Sequence, residues 1–187
     1  MGMPAALPHR WTADDVRRIP EDGKRYECID GELFVMPSPR RRHQRALGIL
    51  HVRLVAYVEG EGFGWVWMAP SDLELDPHTL VQPDLRVEPL ASALPPLTEE
   101  PVPLLAIEVL SPSTAHHDRH RKRRAYQRTR IPEYWIVDPD SRHVERWRPA
   151  DVRPELVTDV LVWHPEGARE PFTLALPAFF DDVTRWD

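Results

Sequence analysis

Three features of the sequence predict an α/β fold with a central mixed β-sheet flanked by helices. Short segments of alternating or continuous apolar residues read as strands. Two longer segments, 40–59 and about 115–130, carry helical periodicity. The order helix, strands, helix, strand interleaves the two kinds of element. A chain of 187 residues suits one domain, 1–187, with residues 1–11 as a flexible arm. Hydrophobic residues at 42% and charged residues at 29% exclude general disorder. No apolar run reaches the length of a membrane span, and the N-terminus lacks the apolar core of a secretion signal. The single cysteine, Cys28, excludes a disulfide framework and a cysteine-based zinc site, so a cytoplasmic protein is expected.

Thr12-Ala-Asp-Asp reads as a helix start, with Thr12 as N-cap and acids in the first turn, and that helix ends by Pro20. Arg25 to Ile29 and Glu32 to Met36 flank Asp30-Gly31, a pair that tolerates the positive φ angles of a tight turn, so an N-terminal β-hairpin is expected. In 40–59, Leu47, Leu50, Leu54 and Val58 recur on one helical face, and the Gly60 to Gly64 stretch closes the helix. Trp65 to Met68, Leu73 to Leu75 and Asp84 to Val87 read as strands, and the proline-rich 89–103 as a surface loop. Leu104 to Leu110 is apolar apart from Glu108 and reads as a buried central strand. After the second helix come strands at Glu133 to Asp138, His143 to Trp147 and Leu156 to Trp163, then a short tail.

The net charge of −6 is unlike that of a protein coated by nucleic acid, so any such contact needs a local patch. Glu108 is informative because a carboxylate inside an aliphatic strand must be paired with a cation or bound to a metal. A buried ion pair with an arginine explains it equally well. Asp84, after Val81-Gln82-Pro83, sits at a strand end. Alone it reads as a turn former; beside Glu108 it would complete a hard-oxygen site suited to Mg²⁺ or Mn²⁺. Asp118, Lys122 and Tyr126 follow at i, i+4 and i+8, on one helical face. The chain has only two lysines, Lys24 and Lys122, against twenty-two arginines, which sets Lys122 apart. The arginines around it, and the Arg40-Arg41-Arg42 run, read either as a solvated basic surface or as phosphate contacts.

Five segments resemble the Uma-two family, restriction-endonuclease-like proteins of the PD-(D/E)XK nuclease superfamily. They are Tyr26 to Glu32, Val81 to Leu85, Ile107 to Thr114, Asp118 through Lys122 to Tyr126, and Ile131 to Asp138. The resemblance runs from about residue 12 to the C-terminus. It implies a restriction-endonuclease-like fold and a metal-dependent endonuclease with DNA as substrate. Asp84 and Glu108 would be the metal ligands for Mg²⁺ or Mn²⁺, and Lys122 a catalytic base or charge stabiliser. Glu27 would be an accessory acid, with Glu32 competing for the role. The superfamily lysine two residues after the second acid is replaced by Leu110, and Lys122 matches a position migrated to the next helix. His43 matches a histidine near the start of the long helix in similar sequences. His43, Gln82 and Tyr126 are assigned to substrate binding.

Three other readings stand beside this one. A non-catalytic nucleic-acid or protein binding module on the same fold would account for Leu110 and the net acidity. His116, His117 and His120 offer an i, i+4 pair suited to zinc, without the glutamate of the usual motif. The aromatic strands around Trp135 and Trp147 would support a homodimer or fill the core.

Overall fold

The computed structural model of the protein describes residues 9–90, 101–112 and 114–185. Of the expected arm, residues 1–8 lie outside the described residues; Trp11 donates its N–H to Gly31 O at 2.9 Å. Residues 91–100 of the expected proline-rich loop also lie outside them, as does Ser113.

Helix α1 (Ala13–Arg17) starts at Thr12 through a reciprocal cap, in which the Thr12 side chain accepts the Asp15 N–H and the Asp15 carboxylate accepts the Thr12 N–H. Strands β1 (Arg25–Ile29) and β2 (Glu32–Met36) form the expected hairpin. Asp30 and Gly31 both have positive φ, at 54° and 84°, as a tight turn between right-twisted strands requires. Helix α2 (Arg41–Glu61) buries Leu47, Leu50, Leu54 and Val58 and closes at Gly62, which is left-handed. Strands β3 (Gly64–Met68), β4 (Leu73–Asp76), β5 (Thr79–Val81), β6 (Leu85–Pro89) and β7 (Leu105–Val109) follow.

The second helix is continuous but not uniform. It runs through α3 (Ala115–His117), a π-helical segment (Asp118–Lys122) and α4 (Arg123–Arg128). Strands β8 (Glu133–Asp138), β9 (His143–Trp147), β10 (Glu155–Val157), β11 (Val160–Trp163) and β12 (Phe172–Ala175) lead to helix α5 (Leu176–Thr184).

The central sheet has the order β10-β9-β8-β7-β6-β3 and is mixed, because β7 and β8 are parallel while the other neighbours are antiparallel. The second helix is the crossover that a parallel pair needs. A smaller sheet, β2-β1-β5-β4, and the β11-β12 ribbon complete the architecture. Alternation along each central strand sends side chains to opposite faces. Leu85, Val87, Leu105, Ile107, Val109, Trp135 and Val137 pack against α2, α5 and the ribbon. On the other face, Ala106, Tyr134, Ile136 and Trp147 meet Ile29, Leu73 and Val81 of the smaller sheet and Ala125 and Tyr126 of α4.

The structure corrects the sequence reading in three places. Leu156 to Trp163 is two strands in different sheets, β10 against β9 and β11 against β12. The break falls at Thr158-Asp159, where the Asp159 carbonyl accepts the Leu176 N–H at 2.7 Å. The segment expected as a short tail carries a further strand and a helix. Phe172 and Leu174 alternate into the core, and Leu176, Phe179, Phe180 and Val183 form a helical face. Strand β5, three residues long, is too short to announce itself by periodicity.

Candidate active site

Strand register builds the site. Pairing of Leu85 with Ile107 places Asp84, just before β6, opposite Glu108 of β7 on the sheet face away from α2. Glu108 therefore does not share its face with Ile107 and Val109, which explains a carboxylate in an aliphatic run. Glu27 reaches the same place from β1, and Asp118 and Lys122 from the π segment. All five line one cleft with Gln82 and His43. Its floor holds about 20 Å³ of free volume, room for a water molecule or a small ion.

Lys122, 1% exposed, is the hub. Its Nζ lies 2.9 Å from Glu27 Oε1, 2.9 Å from Glu108 Oε1 and 3.9 Å from Asp118 Oδ1. Tyr126 donates its hydroxyl to Glu108 Oε1 at 3.1 Å. The Gln82 N–H reaches Glu27 Oε1 at 2.8 Å. Asp84 Oδ2 accepts the Val109 N–H at 2.9 Å, a bond that locks the two metal-ligand candidates' strands together. His43, from the first turn of α2, lies with Nδ1 2.8 Å from Val109 O and Nε2 3.4 Å from Asp84 Oδ1.

Four acids surround one ammonium, and their protons respond. Burial pushes Glu108 well above the usual carboxylate range, and Asp84, Asp118 and Glu27 add to this against the pull of Lys122. Burial likewise pushes Asp118 up to about 6. For Glu27 burial works upward, but Lys122, His117 and the Gln82 N–H outweigh it and hold the group below its ordinary value. Asp84 is also buried, yet His43, Lys122 and the Val109 N–H keep it low. Burial opposes the charge on Lys122, but Glu108, Glu27, Asp118 and Asp84 raise its pKa above the ordinary value.

Glu27 and Glu32 differ in position. Glu27 is in the cleft, whereas the Glu32 side chain is 57% exposed and pairs with Arg121. Tyr126, expected at the substrate, is instead fully buried behind Glu108 and does not line the cleft. Gln82 and His43 do line it. Leu110 follows β7 and packs in the apolar layer, and the ammonium delivered by Lys122 reaches Glu108 from the next helix. Sequence reasoning gave Asp118 no role, although its i, i+4 spacing from Lys122 was the signal. His117, with Nε2 3.5 Å from Glu27 Oε2, was noted only for zinc.

The structure bears on three other readings that the sequence leaves open. His116 and His120 stack on each other with ring centroids 4.5 Å apart, while His117 turns to Glu27 and Phe34, so the three histidines share no site. Trp135 and Trp147 are buried and belong to the core rather than to a dimer surface; among the described residues the exposed tryptophans are Trp65 and Trp67 on β3. Most arginines of the second helix are already engaged. Arg119 binds Asp138 and Glu145, Arg121 binds Glu32, Arg128 binds Asp30, and Arg123 lies over Trp147.

The donor set fits a hard divalent cation. Glu27 Oε2, Gln82 Oε1, His117 Nε2 and Asp118 Oδ1 are buried side-chain atoms without a hydrogen-bond partner, and all four come from residues at or beside this cleft. Glu27 Oε2 and His117 Nε2 face each other at 3.5 Å, whereas Gln82 Oε1 and Asp118 Oδ1 are oxygens that a cation or a water would satisfy, beside acids whose charge exceeds that of the one lysine. Among the described residues no three His, Cys, Asp or Glu side chains form a ready-made cage. Mg²⁺ does not need one, since it takes one or two carboxylates and keeps several waters.

A central mixed sheet with an aspartate and a glutamate on adjacent strands, and a lysine from the crossover helix, defines a restriction-endonuclease-like domain. The Uma2 family profile, described as "Putative restriction endonuclease", matches residues 13–180, and the chain belongs to that family. Among solved structures it is similar to a "putative nuclease belonging to DUF820" from Anabaena variabilis. That match has a TM-score of 0.75 and 21% identity, and covers 92% of this chain and 99% of the other. No curated protein matches the chain.

Proposed function

We propose that this protein is a divalent-metal-dependent nuclease that hydrolyses phosphodiester bonds of DNA. One observation carries the reading: Glu27, Asp84, Glu108 and Lys122, from distant parts of the chain, line a single cleft. Asp84 and Glu108 are the residues that would hold Mg²⁺ or Mn²⁺, which when bound would supply Lewis-acid polarisation of the phosphate and a more acidic water.

The chain's own groups do the rest. Hydrolysis forms one bond from water oxygen to phosphorus and breaks the bond to the leaving sugar oxygen, so negative charge builds on the phosphate. Lys122, held as an ammonium by its carboxylate neighbours, is suited to stabilise that charge and unsuited to act as a base. Glu27 is held ionised in the same cleft, with Oε2 facing His117 Nε2 at 3.5 Å, and is placed to accept a hydrogen bond from the attacking water. His43 and the Val109 N–H fix the orientation of Asp84.

The test is nicking of supercoiled plasmid in Mg²⁺ and in Mn²⁺ by wild type and Asp84→Ala. Metal-dependent nicking lost in the variant is expected. Equal nicking by both overturns the site. No nicking by either, with metal binding absent in titration, favours the non-catalytic binding module.

A further inference from the structure

The carboxylate cleft adjoins a second groove. His43 and Ser111 belong to both. The second groove has about 250 Å³ of free volume against about 20 Å³ at the cleft floor, and Arg40, Arg41 and Arg42 line it opposite Pro112 and Asp140. Arg42 is held by Asp140 at 2.9 Å. Arg40 and Arg41 are exposed and make no ion pair among the described residues. On the second helix Arg119, Arg121 and Arg128 are tied to carboxylates, while Arg124 is exposed without an ion pair among the described residues but lines neither the cleft nor the groove. On a chain of net charge −6, two uncommitted guanidinium groups beside a cleft are a local positive patch.

We propose that this groove binds the phosphodiester adjacent to the one being cut, so that a single polynucleotide strand runs from the carboxylate cleft across Arg40 and Arg41. The choice of ligand rests on the nuclease reading. The cleft has about 20 Å³ of free volume against about 250 Å³ in the groove, so the sugar and phosphate next to a reacting phosphodiester have more space in the groove. The adjoining groove supplies that space, and guanidinium forks match phosphate oxygens in geometry and charge. Asp84 and Glu108 are only 5% and 3% exposed, a depth that one flexible strand reaches more readily than a rigid duplex.

The experiment measures fluorescence anisotropy of a labelled short oligothymidylate, in Ca²⁺ and in EDTA, across a salt series. The variants are Arg40→Ala/Arg41→Ala and, as control, Arg53→Ala/Arg153→Ala, which removes two exposed charges away from the groove. Loss of the first pair is expected to weaken binding at least about tenfold at low salt, and to lower the slope of log K against log salt by about 0.7 per lost contact. The control pair is expected to bind as wild type does. Equal binding by wild type and the first variant, or equal weakening by both variants, overturns the proposal.

Plasmid nicking on the same preparations separates this inference from the reading it rests on. Nicking without dependence of binding on Arg40 and Arg41 removes the groove and leaves the nuclease. Arginine-dependent binding without nicking removes the nuclease and leaves the groove.

Discussion

Lys122 Nζ lies 2.9 Å from Glu108 Oε1 across fourteen residues of chain, and both side chains are buried. This contact joins the central strand β7 to the crossover helix, and Glu27 extends it to the smaller sheet.

Removing the ammonium while leaving its partners strands several buried carboxylates. Lys122→Met is expected to destabilise the fold by about 3–5 kcal/mol at neutral pH, in the range for breaking a buried ion pair from one side. The loss should shrink at pH 5, where the stranded acids take up protons. Urea denaturation at the two pH values measures both effects.

Asp118 has a folded pKa of about 6 against an ordinary value of 3.8. The folded chain therefore binds this proton more tightly than the unfolded chain, and stability falls as pH rises from about 4 to about 6. Asp118→Asn removes that slope. The variant should match wild type near pH 4 and exceed it in urea resistance near pH 7. A variant less stable than wild type at pH 7 would contradict the assignment.

Glu27 and Glu32 stand five residues apart but have opposite fates. Glu27→Gln should reduce nicking by at least about tenfold, the scale of losing one positioned catalytic group. Glu32→Ala breaks only an exposed pair with Arg121 and should leave nicking unchanged.

Trp135 is buried against Trp163 and Phe172 and donates its indole N–H to Glu133 Oε2 at 2.8 Å. Trp135→Ala is expected to cost about 3–5 kcal/mol through the cavity it leaves. Sedimentation at conditions where the variant remains folded should give the same oligomeric state as wild type, because the ring faces the core.

Much of this molecule was legible locally. The Asp30-Gly31 turn, the Thr12 cap and the leucine stripe of α2 each lie within a few residues, and short-range sterics and periodicity decide them. Asp84 and Glu108 were singled out because a carboxylate beside aliphatic residues is costly unless paired. The C-terminal β12 and α5 were missed although Phe172, Leu174, Leu176, Phe179 and Phe180 carry the pattern, because the alternation changes to helical spacing within a few residues.

By itself the sequence determined which residue types were available: two lysines, one of them at helical spacing from Asp118 and Tyr126, and acids at the ends and centres of short strands. Only tertiary structure decided their partners. The Leu85–Ile107 register set Asp84 beside Glu108, the π segment aimed Lys122 between Glu108 and Glu27, and packing sent Tyr126 behind the site and Glu32 to solvent. The physical reason is that a charge's role depends on what surrounds it within a few ångströms, and those neighbours come from parts of the chain that no local pattern connects.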